Sequence, residues 1–343
     1  SNILMASQHV FFQISCVDDS CGVMIGEKLH LTVQPYAWWL KKLQDMGAVI
    51  HWSRDEGHAC MFYVTAWIKG DEIVKVGKLN ETELRILDNV KANLAGDWKE
   101  ILPHPTNDVE VAILCGGPSL AQHLPRIREL KEHGVKLVTV NGSYNWAIAN
   151  GLGPVNQVIV DSREFNKRFV QPIDEKSMYF IASQCHPSVL EGLPKDRTYL
   201  WHTTMDFIRE AINEKREWWF AIPGGSTVTL RAIPLFRLLG FKRFHVFGWD
   251  SCVAQDDVSK TELHHAYDQP ENDNLPIIPV GIGGQMFRCT LGMVSQANEF
   301  MDLIKFLGRE IELEVYGDGL IAHILRTGAD MHDAQLGEPC TLA

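Results

Sequence analysis

Two short stretches combine glycine, serine and a following helix in a way that could hold an anion. After the apolar run VAILC come Gly116, Gly117, Pro118 and Ser119, and after WWFAIP come Gly224, Gly225, Ser226 and Thr227. Glycines remove the β-carbons that would hold a ligand off the backbone, Pro118 suits a first helical turn, and Ser119 adds a hydroxyl beside unpaired N–H groups. Such amides at the positive end of a helix favour an anion by about 0.3–1 kcal/mol. A plain turn between a buried strand and a helix is the other use of each stretch. Neither follows the GxGxxG or the GxxxxGK[ST] spacing, so the sequence supports neither dinucleotide binding of that type nor P-loop chemistry.

Other chemistry-bearing residues stand where further apolar runs stop. Asn141, Gly142 and Ser143 follow VKLVTV, Asp161 follows NQVIV with Glu164 three positions on, and Asp250 follows FHVFGW. Asp161 and Glu164 read equally as oxygen ligands that hold Mg²⁺ against a diphosphate and as a helix cap with a first-turn acid. Asp250 has those two readings and a third, a hydrogen bond to a ribose or sugar hydroxyl. His264, His265 and Tyr267 lie in the acid-rich loop QDDVSKTELHHAYDQPENDN. A histidine titrates near pH ~6.5 and, as a general base, supplies ~10²–10⁴-fold in rate. Adjacent histidines do not face one site together, and His265 is placed ahead of His264; a solvated loop is the alternative.

The elements that must position these residues follow from periodicity. From DVEVAILC to FKRFHVFGWD, strands that are apolar throughout alternate with helices such as SLAQHLPRIRELKEHG and STVTLRAIPLFRLLG. That pattern predicts an α/β fold: a Rossmann-like, mainly parallel sheet with helices on both faces. Ligands of such sheets bind outside the carboxyl ends of the strands, where all the residues above fall. GMVSQANEFMDLIKFLG and EIELEVYG finish this domain, placed at 106–330, with a tail over 331–343.

Residues 5–105 read as a small α+β domain preceding it, with strands HVFFQIS and ACMFYVTAWI and helices PYAWWLKKLQDMG and ETELRILDNVKANLAG. Asn80 with Glu83 suggests a capping box for the second helix. Trp38, Trp39, Trp52 and Trp67 are expected in its core.

The 343 residues are 45% hydrophobic and carry a formal charge of −11. That balance disfavours a surface that coats nucleic acid. The eight cysteines show no CxxC pair and read as reduced thiols, no run reaches the ~18 apolar residues of a membrane span, and no export signal opens the chain. A soluble, cytoplasmic protein is expected, and a homo-oligomer is compatible with the sequence.

CGGPSL, VNGSYNWAIANGLGPVNQVIVDS, PGGSTVTLRAIPLFRLLGFKRFHVFGWDS, HHAY and VYGDGLIAHIL together resemble the MptE-like superfamily. It groups 6-hydroxymethylpterin diphosphokinase-like proteins with Maf-type glycosyltransferases and is related in fold to bacterial lipooligosaccharide sialyltransferases. The resemblance covers Asp108 to Leu325 and implies a nucleotide-binding transferase domain. It implies that Gly116, Gly117, Pro118, Ser119 and Asn141, with Gly225, Ser226 and Thr227, face the nucleotide of a CMP- or UDP-type donor. It implies that His264 or His265 deprotonates an acceptor hydroxyl. In diphosphokinase-like members an aspartate pair binds Mg²⁺; here VDSRE keeps Asp161 alone, with Glu164 as the substitute carboxylate. Three readings result: a nucleotide-sugar-dependent glycosyltransferase, a Mg²⁺-dependent ATP diphosphotransferase, and a non-catalytic nucleotide-binding or assembly module.

Overall fold

A computed structural model describes residues 9–17, 32–45, 48–65, 81–217, 219–253 and 277–337. The chain divides into two compact units, Ser1–Lys75 and Val76–Ala343. In the first, β1 (His9–Ser15), β2 (Val49–Asp55) and β3 (Ala59–Thr65) form an antiparallel sheet in the order β1-β3-β2, and α1 (Tyr36–Asp45) lies between β1 and β2 in the chain. Alternation along the strands sends Val10, Phe62 and Val64 into a core with Leu43 of α1. Tyr36 stacks on Phe62 with ring centroids 5.4 Å apart. The same alternation corrects the expectation for the tryptophans. Trp39 packs against the core, but Trp52 faces away from Phe62 and is 44% exposed, and Trp38 is 39% exposed. Trp67 lies outside the described residues.

The second unit is built on nine strands: β4 (Lys99–Glu100), β5 (Glu110–Leu114), β6 (Lys136–Val140), β7 (Asn156–Ile159), β8 (Met178–Ala182), β9 (Thr198–Thr203), β10 (Ala221–Ile222), β11 (Arg243–Phe247) and β14 (Glu312–Val315). Their order is β10-β9-β8-β7-β6-β5-β11-β14, with β4 also on β9, and every pairing is parallel. The central strands are apolar because both faces are covered: Val111, Ala112, Ile113 and Leu114 have no exposed surface. The covering helices are α2 (Glu83–Ala95), α3 (Leu124–Glu132), α4 (Ser143–Ala149), α5 (Asp206–Asn213), α6 (Val228–Leu238), α7 (Leu291–Leu307) and α8 (Leu320–Thr327). The sheet, its parallel pairing and its helices agree with the Rossmann-like reading.

Strand order sets where a ligand belongs. From β5 the chain moves outward through β6, β7, β8 and β9 to β10, then returns to place β11 on the other side of β5. The connections leaving β5 and β11 therefore diverge, which makes the seam between those strands the topological switch point.

Two local details depart from expectation. The cap of α2 is Thr82, whose hydroxyl accepts from the Arg85 N–H at 3.3 Å, because it stands three residues before that amide; Asn80 lies outside the described residues. A second antiparallel sheet, from β12 (Ile278–Ile282), β13 (Gln285–Cys289) and β15 (Gln335–Leu336), was not foreseen. Its hairpin strands β12 and β13 are joined by the two-residue turn Gly283-Gly284, both at positive φ.

Helix α2 precedes the sheet's first long strand in sequence yet closes part of its carboxyl edge. Ile86, Val90 and Leu94 pack on Ile208, Ala211 and Ile212 of α5. On the neighbouring face, Asn89 Nδ2 donates to the carbonyls of Ser162 (3.0 Å) and Gln184 (3.1 Å), and Asn93 Nδ2 to those of Ser183 (2.9 Å) and Cys185 (2.7 Å). The ends of β7 and β8 are thus tied down by two buried amides one helical turn apart.

Candidate functional site

At the β5–β11 seam the backbones of the two strand ends stay paired past the strands. Cys115 N–H donates to Phe247 O and Gly117 N–H to Gly248 O, each at 2.8 Å. Ser119 then donates its N–H to Asp250 Oδ2 at 2.9 Å and its hydroxyl to Asp250 Oδ1 at 2.7 Å. A β-carbon on Gly117 would run into Asp250 Oδ2 and Gly248 O, so glycine is required there by close approach. Gly319, which opens α8, packs on the other side: a β-carbon on it would lie 2.5 Å from Asp250 Cα.

Asp250 is 4% exposed. Burial pushes its carboxyl above the ordinary range; the two Ser119 bonds and His123 pull it back, and Asp318 pushes it up further. The negative charge resting on the first glycine loop is therefore the chain's own. Pro118 does not open the helix as expected. Leu120–His123 forms a 3-10 turn, and α3 begins at Leu124 with Pro125 in its first turn, because Ser119 is held by Asp250 rather than capping a helix.

The second loop repeats the arrangement. Ser226 donates its N–H (2.9 Å) and its hydroxyl (2.7 Å) to Glu299 Oε2 of α7, and a β-carbon on Gly225 would come within 2.5 Å of that oxygen. Beneath lies Arg231: burial lowers its pKa and Glu299 raises it, while its guanidinium donates to Ile222 O at 3.1 Å. Thr227 caps α6, and its Oγ1 is buried with no hydrogen-bond partner among the described residues. The two loops are neighbours, since Cys115 Sγ, next to Gly116, lies 3.3 Å from Thr229 Oγ1 in the first turn of α6. Burial pushes the Cys115 thiol up to about 12, so it stays protonated and is no nucleophile at neutral pH.

Asn141, at the end of β6, adopts φ 48°, a left-handed conformation that asparagine tolerates. Its carbonyl accepts from Gln157 Nε2 at 2.9 Å, while its side-chain Oδ1 is buried and unpartnered among the described residues. Gly142 leads into α4. Ser143 is fully buried and its hydroxyl serves the fold, donating to Leu114 O at 2.6 Å and accepting from Val140 N–H at 2.9 Å. Ser251, next to Asp250, also has positive φ (47°) and donates to Gln296 Oε1 at 3.0 Å.

Asp161 is engaged by Arg163, whose N–H and Nε reach Oδ1 at 2.9 and 3.0 Å and whose second guanidinium nitrogen reaches Oδ2 at 2.6 Å. Glu164 is exposed at the start of a 3-10 turn. Among the described residues no group of three or more His, Cys, Asp and Glu could hold a metal ion. His264, His265 and Tyr267 lie outside the described residues.

The edge thus brings together Gly116–Ser119, Asn141, Ser226, Thr227 and Asp250, with polar side chains of two kinds. Ser119, Ser143, Ser226 and Asp250 are satisfied from within, whereas Asn141 Oδ1 and Thr227 Oγ1 are buried with no hydrogen-bond partner among the described residues. Residues missed in the sequence are Glu299, Asn89 and Asn93. Their signal is a polar residue on the apolar stripe of a helix, visible in LRILDNVKANL and in SQANEFMDLI. A hollow of about 480 Å³ lined by Ile173, Glu175, Gly192, Pro194, Asp196 and Arg197 opens before β8 and β9. It sits at the edge where strands begin and holds none of these groups, so the strand-end cluster is the better site.

Fold and site together define a doubly wound α/β protein with its polar cluster at the switch point. The chain belongs to the MptE-like family: the family described as 6-hydroxymethylpterin diphosphokinase MptE-like matches residues 84–256. Among solved structures, the MAf glycosyltransferase from Magnetospirillum magneticum AMB-1 shares the fold, with a TM-score of 0.55 and 13% identity over 71% of this chain. The similarity spans 37% of that protein's length. No curated protein matches. Among the described residues no helix is long and apolar enough to cross a membrane.

Proposed function

We propose that the chain is a nucleotide-sugar-dependent transferase of the glycosyltransferase type, with its donor nucleotide along the edge formed by Gly116–Ser119, Asn141 and the start of α6. The observation that carries this reading is the pair of unpartnered buried oxygens, Asn141 Oδ1 and Thr227 Oγ1, beside the switch point. A buried acceptor without a donor costs about 1–3 kcal/mol, and ribose or base N–H and O–H groups would supply what they lack. Asp250 positions the first loop by holding Ser119. His265 or His264 serves as the base that takes the acceptor's hydroxyl proton. When bound, the donor supplies an activated sugar on a phosphate leaving group.

The runner-up is the Mg²⁺-dependent ATP diphosphotransferase that the family description suggests. It needs carboxylates free for a cation, and the residues present do not fit well: Asp161 is clasped by Arg163, and Glu164 points to solvent. A thermal-shift series with CMP- and UDP-linked sugars and ATP, each with and without Mg²⁺, separates the readings. Stabilisation by a nucleotide sugar that is lost in Asn141→Ala supports the first. A shift seen only with ATP and Mg²⁺ supports the second, and no shift with any nucleotide leaves a non-catalytic assembly module.

A further inference from the structure

We propose that Cys16 and Cys60 form an oxidant-responsive thiol pair in the first unit, with Cys16 the site attacked by hydroperoxides and Cys60 the thiol that closes the disulfide. Strand register brings them together. Ile14 of β1 stands opposite Cys60 of β3 and Ser15 opposite Ala59, and one residue further the Cys16 N–H donates to His58 O at 2.8 Å. The pairing thus runs on past the end of β1 and sets Cys16 diagonally across from Cys60, on the same face as Ile14. The two side chains meet there. Cys16 packs against the core to which Cys60 belongs, and the Cys60 thiol shares a hydrogen bond with that of Cys16. Both cysteines are free thiols.

The two thiols differ in the way that a sensing pair requires. Cys60 has no exposed surface, and burial, followed by the contact with Cys16 and the charge of Asp55, pushes its thiol up to about 12. At neutral pH it stays protonated and closed to solvent. Cys16 is partly exposed, one step beyond the last residue of β1. A hydroperoxide therefore meets Cys16 first. The Cys16 thiolate attacks one peroxide oxygen, the O–O bond breaks, and the other oxygen leaves as water or an alcohol with the thiol's proton, so that Cys16 becomes a sulfenic acid. The Cys60 sulfur then displaces the hydroxyl from Cys16, the S–S bond forms, and the hydroxyl departs as water with the Cys60 proton. The two sulfurs lose two electrons in all, and the peroxide takes up both.

Geometry makes this link reversible. Diagonal neighbours on paired strands stand ~7–8 Å apart, whereas a relaxed disulfide spans about 4.4–6.8 Å between Cα atoms. Cys16 must shift inward to close the bond, which its place past the strand end permits, and a bond closed against strain is easily reduced. The link has leverage, since a three-stranded sheet with one helix buries little. Cys252 and Cys289 supply the contrast. They too are close enough to feel each other, but at 5% and 0% exposed neither gives an oxidant an entry.

The test treats the full chain with a small excess of hydrogen peroxide, alkylates the remaining thiols after unfolding, and maps peptides by mass spectrometry without reductant. A linked Cys16–Cys60 peptide, lighter by two hydrogens than its parts and lost again with dithiothreitol, is expected, with Cys252 and Cys289 still open to alkylation. Hydrogen exchange should slow in β1 and β3 of the oxidised chain and stay unchanged in the sheet of the second unit. Cys60→Ala should hold the sulfenic acid on Cys16, where dimedone traps it, and Cys16→Ser should leave Cys60 a thiol. Circular dichroism checks both folds. Cys16→Ser alters a partly exposed position, so that arm and the native chain decide the matter even if Cys60→Ala does not fold. Linkage of Cys16 to another cysteine, a Cys252–Cys289 link, sulfonic acid without a link, or no reaction would each overturn the proposal. None of these outcomes touches the nucleotide thermal shift, so the two readings fail separately.

Discussion

Ser119 gives both its backbone N–H and its hydroxyl to the carboxylate of Asp250, 131 positions along the chain, across the seam between β5 and β11. A glycine-rich strand end is expected to keep its amides for a ligand; here one of them is spent on holding two loops together. The Asp250 carboxylate behaves as an internal anion, and the packing of Gly117 and Gly319 around it leaves no slack.

Removing that carboxylate strands the Ser119 donor in a buried place. Asp250→Ala is expected to cost about 1–3 kcal/mol in urea unfolding. Asp250→Asn keeps the shape, since its oxygen accepts from the Ser119 N–H and its amide donates to Ser119 Oγ, and should cost under about 1 kcal/mol. The pH dependence has a definite sign. A carboxyl whose folded pKa is raised contributes stability that is complete below its unfolded pKa and is lost as pH rises through the folded one. Stability of Asp250→Asn relative to the native chain should therefore improve as pH rises from the ordinary carboxylate range upward. A gap that stays constant with pH would show that Asp250 is not the titrating group.

Glu100 runs the opposite way. Burial pushes its carboxyl up, but the bonds from His202 (3.2 Å) and Arg216 (2.5 Å) outweigh it and leave the pKa lowered. A depressed carboxyl contributes stability present above its unfolded pKa and lost as pH falls through the folded one. Glu100→Gln should lower the melting temperature at pH 7 and flatten the acid limb of the stability curve. Calorimetry between pH 3 and 7 reads both effects.

How much of this was legible differs by element. The parallel sheet was, because Val111–Leu114 and Val138 are apolar on successive positions, which only a strand covered on both faces explains. The strand-end residues followed from it. What the glycine loops bind was not legible: Asp250 and Glu299 reach Ser119 and Ser226 through tertiary contacts that no local spacing encodes. The outward turn of Trp52 was missed for the opposite reason, since period-two alternation reveals two faces but not which one is covered. Asn89 and Asn93 sat in a helix assigned to the N-terminal domain, and only the packing of α2 on α5 brings them to the ends of β7 and β8.

Asn89 also yields a prediction. Its amide satisfies two carbonyls at once, and one belongs to Ser162, beside Asp161 and Arg163. Asn89→Ala leaves both acceptors dry under α2 and should cost about 1–3 kcal/mol, with hydrogen exchange rising in the segments after β7 and β8 and unchanged in β5 and β11. Exchange rising evenly across the sheet would show global destabilisation instead of a local tie.

The Glu299–Ser226 contact tests the proposed donor site most directly. Glu299 is only half-hidden and Ser226 is exposed, so the contact contributes within about 1 kcal/mol of stability, as surface charge contacts do. Its carboxylate nevertheless occupies the N–H and hydroxyl that a donor phosphate would use at the start of α6. If Glu299 holds that place until a ligand arrives, then Glu299→Ala should tighten nucleotide-sugar binding several-fold by calorimetry, with a lowered melting temperature because Arg231 loses the carboxylate that offsets its burial. The gain should shrink when Ser226→Ala is added, because the hydroxyl is lost and only the backbone N–H is freed. Weaker binding in Glu299→Ala would mean that the carboxylate contacts the ligand itself. Unchanged binding would put the phosphate elsewhere on the edge, nearer Gly116 and Asn141.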